Sequence, residues 1–144
     1  MHNSDDDLRK ILTEVKVIAL VGWSPNPDRP SNYVAAYMVS KGYRVIPVNP
    51  GQVGKIVGGE VVRASLSDIT DHVDMVDIFR RSQDAGAVVD EALRVLPGLK
   101  VVWMQLGVED AIAAKRARVA GVGVVMNRCP AIEIPRLFGA KSGV

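Results

Sequence analysis

The chain has 144 residues, 48% of them hydrophobic and 24% charged, enough for one domain with a real core. Its formal net charge of +2 is too small to argue for nucleic acid or a membrane surface as partner. No apolar run approaches the ~20 residues of a membrane-spanning helix. The start, Met1-His2-Asn3-Ser4-Asp5-Asp6-Asp7, is acidic and polar, the reverse of a secretory signal. Ser4 with Asp7 three residues on forms a cap. Leu8, Ile11, Leu12 and Val15 then recur at helical spacing, so a helix is expected over 5–15.

Val17–Val21 is an unbroken apolar run rich in β-branched residues, the pattern of a strand covered on both faces. The turn Gly22-Trp23-Ser24-Pro25-Asn26-Pro27-Asp28-Arg29-Pro30-Ser31-Asn32 follows, and then a helix carrying Val34 and Met38 and closed by Gly42. A strand, a small polar turn and a helix N-terminus make an anion site, because the first helical N–H groups are unpaired and the dipole is positive there. Gly22 would let a guest approach the backbone, Ser24 and Ser31 would add hydroxyls, and Arg29 a forked cation suited to phosphate. The alternative is an ordinary loop, since the same residue types build turns that bind nothing. The dinucleotide fingerprint G-x-G-x-x-G is absent: Ser24 and Pro27 stand where its second and third glycines belong.

Tyr43–Val48 reads as a second strand in which Pro47 demotes part of the pairing, ending in the turn Asn49-Pro50-Gly51. Residues 52–59 read as loop, 60–63 as a short edge strand and 67–69 as a helical turn. Val73–Phe79 reads as a strand ending in Arg80-Arg81. Ser82 is expected to cap a helix with the stripe Ala85, Val88, Val89, Ala92, Leu93 and Leu96, stopped by Pro97-Gly98. Lys100–Leu106 is a further buried strand with Trp103 in the core. Glu109 and Asp110 open a helix running to Ala120 with Gly121 after it, and Val122–Met126 is the last strand. The tail from Asn127 to Val144, with Pro130 and Pro135, is expected to pack as short turns of helix.

This alternation argues an α/β fold, a doubly wound, mainly parallel sheet with helices on both faces. Ligands in such sheets lie beyond the C-terminal strand ends, where strand order reverses. With a Rossmann-like order, that crevice falls between the first strand and strand 73–79. Gly22 to Ser24, Asn49-Pro50, Phe79-Arg80 and Gln105 to Gly107 then share one rim. The second strand ends in Val48-Asn49-Pro50-Gly51, without the carboxylate that would hold the ribose of NAD. The only basic residue near it that would suit NADP is Lys55.

Five blocks occur together and in order: Gly22-x-Ser24-x-x-Pro27-x-Arg29-Pro30-Ser31, Gly42–Pro50, Val76-Asp77-Ile78-Phe79-Arg80, Val102-Trp103-Met104-Gln105-Leu106-Gly107 and Asn127-Arg128-Cys129-Pro130. In these the chain resembles the small stand-alone CoA-binding proteins, which are similar to the N-terminal CoA-binding domain of the succinyl-CoA synthetase α subunit. The resemblance spans nearly the full length, so residues 1–144 are expected to form a single Rossmann-like CoA-binding domain. It implies that coenzyme A has its pyrophosphate at Gly22, Ser24, Arg29 and Ser31. It also implies that the adenosine part is flanked by Asn49, Pro50, Phe79 and Arg80, and that Gln105, Leu106 and Gly107 line the crevice. Trp23 is bulkier than the family residue and either stacks on ligand or packs under the loop. The segment Ile132-Glu133-Ile134-Pro135 is less polar than in relatives.

Chemistry is weakly represented. His2 and His72 are isolated and give no metal-ligand cluster. Asp74 and Asp77, three apart on a strand, are not expected to act as an acid/base pair. Arg80 and Arg81 read either as phosphate contacts or as solvated charges. The single cysteine, Cys129, suits a reducing cytoplasm; it reads either as a thiol activated by Arg128 or as an inert structural residue, and the second is expected. The synthetase's phosphorylated histidine lies in a second domain with no counterpart here. The expectation is therefore a non-catalytic protein that binds coenzyme A or a short acyl-CoA. The alternatives are an NAD(P)-dependent oxidoreductase on a degenerate fingerprint and a protein-interaction domain with a vestigial site.

Overall fold

A computed structural model of the chain describes residues 3–139. Five parallel strands form the sheet: β1 (Val17–Val21), β2 (Arg44–Val48), β5 (Met75–Ile78), β6 (Val101–Met104) and β7 (Gly123–Val125), in the order β2-β1-β5-β6-β7. A small antiparallel hairpin, β3 (Ile56–Val57) with β4 (Glu60–Val61), forms a separate two-stranded sheet beside the β2 edge. The helices are α1 (Asp5–Glu14), α2 (Pro30–Ser40), α3 (Ser82–Val95), α4 (Ala111–Val119) and α5 (Pro130–Phe138). This is the expected Rossmann-like doubly wound fold.

Alternation along the strands sorts side chains into two cores. Ala19, Val21, Val76, Ile78, Val102 and Met104 face α3 and α4, whose inward stripe is Ala85, Val89, Ala92, Ala113, Ala114 and Ala117. Ile18, Leu20, Met75, Trp103 and Val125 face the other way, onto Leu8 and Leu12 of α1, Val34 and Met38 of α2, and Ile134 and Leu137 of α5. Each large apolar side chain so buried contributes about 1.5–3 kcal/mol before entropy is counted. Trp103 is wholly buried, and its indole N–H donates to the Arg128 carbonyl at 2.8 Å. Ser4 and Asp7 form the expected reciprocal capping box on α1.

Several expectations change. Pro47 does not weaken β2: it pairs in register with Leu20, and its carbonyl accepts from the Arg63 N–H on the outer side. The position of its missing N–H therefore faces the sheet edge, where no ladder bond to β1 is lost. Residues 56–57 form a strand rather than loop, because Gly58 and Gly59, both at positive φ, close a tight hairpin. Ser82 is the first residue of α3 rather than its cap; Arg81 holds the N-cap position without a side-chain bond. The tail forms one helix of nine residues that passes through Pro135, held by the burial of Ile134 and Leu137. Its remainder, 140–144, lies outside the described residues, as do Met1 and His2. Among the described residues no helix is long and apolar enough to cross a membrane.

Candidate functional site

A crevice of about 960 Å³ opens at the C-terminal strand ends, where chain order reverses between β1 and β5. Four segments build it. The first is the β1–α2 turn with the start of α2 (Gly22, Ser24, Arg29, Pro30, Ser31, Tyr33, Val34). The others are the β5–α3 junction (Phe79, Arg80, Arg81, Asp84), the segment after β6 (Gln105 to Val108) and the start of α5 (Cys129, Ala131, Ile132).

The turn is held by its own polar groups. The Ser24 hydroxyl accepts from the Asn26 N–H at 3.1 Å, the Asn26 side chain accepts from the Asp28 N–H at 3.0 Å, and the Asn32 amide donates to the Ser24 carbonyl at 2.8 Å. Gly22 has φ +96°, and a Cβ there would sit 2.2 Å from the Phe79 carbonyl oxygen. The glycine is therefore required by the close passage of β5's end rather than by a guest. The Gly22 and Trp23 N–H groups both donate to the Val48 carbonyl, which commits them to the sheet. Asn32 and Tyr33 N–H turn back to the Arg29 carbonyl and Pro30 has none, so Ser31 presents the first N–H of α2.

Three helices, α2, α3 and α5, begin on this crevice, and none has a side-chain cap; α1 and α4, by contrast, are capped by Ser4 and Asp110. Uncapped N-termini leave N–H donors and positive partial charge for a bound anion. Two arginines on the wall, Arg29 and Arg80, form no ion pair among the described residues, whereas Arg81 pairs with Asp84 at 3.0 Å. Gln105 is 5% exposed and its side-chain oxygen has no hydrogen-bond partner among the described residues. The loop after Gln105 is fixed from two sides: Asn127, at φ 57°, accepts from the Gly107 N–H at 2.8 Å, and the Ser82 hydroxyl donates to the Gly107 carbonyl at 3.2 Å. Ser82 thus orders the rim, having no role in capping its helix.

Nine of the twelve residues named from the sequence lie on the wall: Gly22, Ser24, Arg29, Ser31, Phe79, Arg80, Gln105, Leu106 and Gly107. Trp23, Asn49 and Pro50 do not. Trp23 is buried behind the turn on a separate apolar cleft with Ala35, Val39, Pro47 and Val57. Asn49 braces the turn from below, donating to the Trp23 carbonyl at 2.6 Å and accepting from the Gly51 N–H at 2.8 Å. The sequence reading passed over Tyr33, Val34, Val108, Ala131 and Ile132 as wall residues. Helical spacing placed Val34 in the core, and the approach of α5 to α2 is set only by the tertiary packing.

The titratable groups divide by role. Asp74, at the far end of the sheet, accepts from the Lys16 and Val17 N–H groups and from His72 Nε2. Burial pushes its pKa up, yet the Val17 and Lys16 hydrogen bonds together with His72 outweigh that and leave it below the ordinary value. Asp77 sits on β5 between Leu20 and Trp103, 1% exposed, with neither carboxyl oxygen partnered among the described residues; burial alone pushes its pKa well up. The two carboxyls make no contact. Cys129 is buried on the wall, but the Arg128 guanidinium is turned to Glu133, 2.9 Å away, and so is engaged there instead of with the thiol. Among the described residues no cluster of His, Cys, Asp and Glu could hold a metal ion.

A doubly wound parallel sheet with a crevice at its switch point defines a Rossmann-like fold. Residues 16–135 match the CoA binding domain family, and the chain belongs to that family. The uncharacterized protein YneT of Bacillus subtilis (strain 168) is 36% identical over 126 residues, 88% of this chain and 90% of that protein. A hypothetical protein from Pyrococcus horikoshii OT3 is 41% identical with a TM-score of 0.87, over 95% of this chain and 94% of its own. A structure from Thermus thermophilus is 38% identical with a TM-score of 0.88, over 94% of this chain and all of its own, 100%.

Proposed function

We propose that the protein is a cytoplasmic, non-catalytic binder of coenzyme A or a short acyl-CoA, made of one domain over residues 1–144. The ligand occupies the crevice between β1 and β5. The observation that carries this reading is the meeting of three uncapped helix N-termini with the unpaired Arg29 and Arg80 on one wall. Coenzyme A presents a pyrophosphate and a separate ribose phosphate, and several separated anion sites suit it better than a single one. Ser24, Arg29 and Ser31 hold the pyrophosphate at α2, Phe79 and Arg80 flank the adenosine part, and Gln105 to Gly107 receive the arm. Asn49 and Trp23 serve indirectly, by holding the turn. The absence of a carboxylate after Val48 weighs against NAD.

Thermal shift with CoA, NAD, NADP and no ligand tests the reading. Ligand at ~100 times its dissociation constant adds about 2.7 kcal/mol of stability, so CoA alone is expected to raise the melting temperature. A shift with NAD or NADP but none with CoA would replace the proposal with a dinucleotide enzyme. No shift with any would favour a protein-interaction domain.

A further inference from the structure

The crevice wall is divided. Its β1 and β5 side carries Arg29, Arg80, Ser24 and Ser31, while its β6 and α5 side carries Leu106, Val108, Ala131 and Ile132. Leu106 is 54% and Ile132 51% exposed, large apolar side chains held open on the wall of a concave site. An apolar surface kept exposed inside a binding crevice has its use when a ligand covers it. The arm of CoA carries only a geminal dimethyl and short methylene links among its amides and ends in a small thiol, so an acyl chain supplies the extended apolar surface that such a wall would cover. Gln105 lies at the end of β6, one strand over from Phe79-Arg80, with its amide oxygen buried and unpaired. A glutamine amide both donates and accepts, which complements the amides and thioester carbonyl of an acylated pantetheine arm.

We infer that the ligand is an acyl thioester of coenzyme A, with its acyl chain on the Leu106–Ile132 wall and its arm paired to Gln105. This rests on the reading that the crevice binds CoA. The phosphates fix the head at the cationic side, and the apolar wall continues the same crevice, so one amphipathic molecule spans both halves.

Isothermal titration of the full chain with CoA, acetyl-CoA, butyryl-CoA and hexanoyl-CoA tests it, in wild type and in Ile132→Ser. Each methylene buried is expected to tighten binding about fourfold, at least from acetyl to butyryl. Ile132 is half-exposed, so the variant is expected to fold, with circular dichroism as the check. It should lose most of the gain with chain length, read as the ratio of butyryl-CoA to CoA affinity within the same variant. Equal affinity for CoA and butyryl-CoA in wild type would overturn the acyl inference and leave the CoA reading standing. A full chain-length gain in Ile132→Ser would overturn the assigned wall. No binding of any of the four would overturn both readings.

Discussion

Gly22 shows how much one missing Cβ decides. The Phe79 carbonyl occupies the space a side chain would need, and the positive φ adds strain for any L-residue. Gly22→Ala is expected to cost roughly 2–4 kcal/mol, combining left-handed strain with overpacking. A lower urea midpoint at unchanged m-value would check it. Arg29 and Arg80 stand in the opposite relation to the fold: each forms no ion pair among the described residues and lies away from the cores, so on the proposed function their removal is expected to spare stability and weaken binding. A charge-assisted hydrogen bond contributes about 1.5–3 kcal/mol, so Arg29→Ala is expected to weaken CoA about tenfold to a hundredfold. Wild-type affinity in that variant would remove the pyrophosphate from the α2 turn. Asp77 makes a third kind of statement. Because burial raises its pKa in the fold, its contribution is fully present below the unfolded carboxylate range and is lost as pH rises through the raised value. Asp77→Asn removes that titration, so the variant's stability relative to wild type should grow as pH rises above the unfolded carboxylate range, in parallel urea titrations. A difference flat with pH would mean the carboxyl does not titrate there.

At the scale of elements, the β3–β4 hairpin is joined to the edge of β2 by backbone bonds through Arg63, by the buried Val62 and by charge. Arg44 on β2 reaches Glu60 at 2.8 Å and Asp71 at 2.6 Å, while Ile56 is left exposed. The Arg44 guanidinium holds both carboxyls below their ordinary values. Depressed values of this kind give stability that is present above the unfolded carboxylate pKa and lost as pH falls through the folded one. Both partners are partly solvated, so solvent screening keeps the clamp's contribution small. Arg44→Met is expected to speed amide exchange at Gly54 and Val62, which bond across the hairpin, and to leave β5 and β6 amides unchanged. The helix starts differ in the same local way. Where a cap is present, at Ser4 and Asp110, the helix is self-contained; where it is missing, at α2, α3 and α5, the donors face the crevice.

Across the whole molecule, binding should divide into a salt-sensitive and a salt-insensitive part. Raising ionic strength from about 0.1 to 1 M shortens the Debye length from ~10 to ~3 Å. If Arg29, Arg80 and the helix ends hold the phosphates as proposed, CoA affinity is expected to fall severalfold in titrations across that range. The gain from acetyl to butyryl-CoA should persist, since it comes from apolar burial. CoA affinity indifferent to salt would show that the phosphates lie elsewhere.

By itself the sequence determined the order and type of nearly every element, because apolar period and chain-terminating Gly and Pro are local properties. Val17–Val21, the Ser4–Asp7 cap and the alternation of strand and helix were legible on those grounds, as was the doubly wound class. It also indicated the rim, since chain direction in a parallel sheet brings Gly22, Phe79 and Gln105 to the same edge. Only the tertiary structure decided which side chains reach the crevice. Trp23 and Asn49 belong to the same turns as Gly22 and Ser24, yet packing sends them behind the loop. Ser82, a good cap by composition, is drawn to Gly107 and Glu109 instead, because the loop after β6 lies within reach of its hydroxyl. Ala131 and Ile132 enter the wall because α5 packs beside α2, a contact between segments about a hundred residues apart that no local pattern encodes.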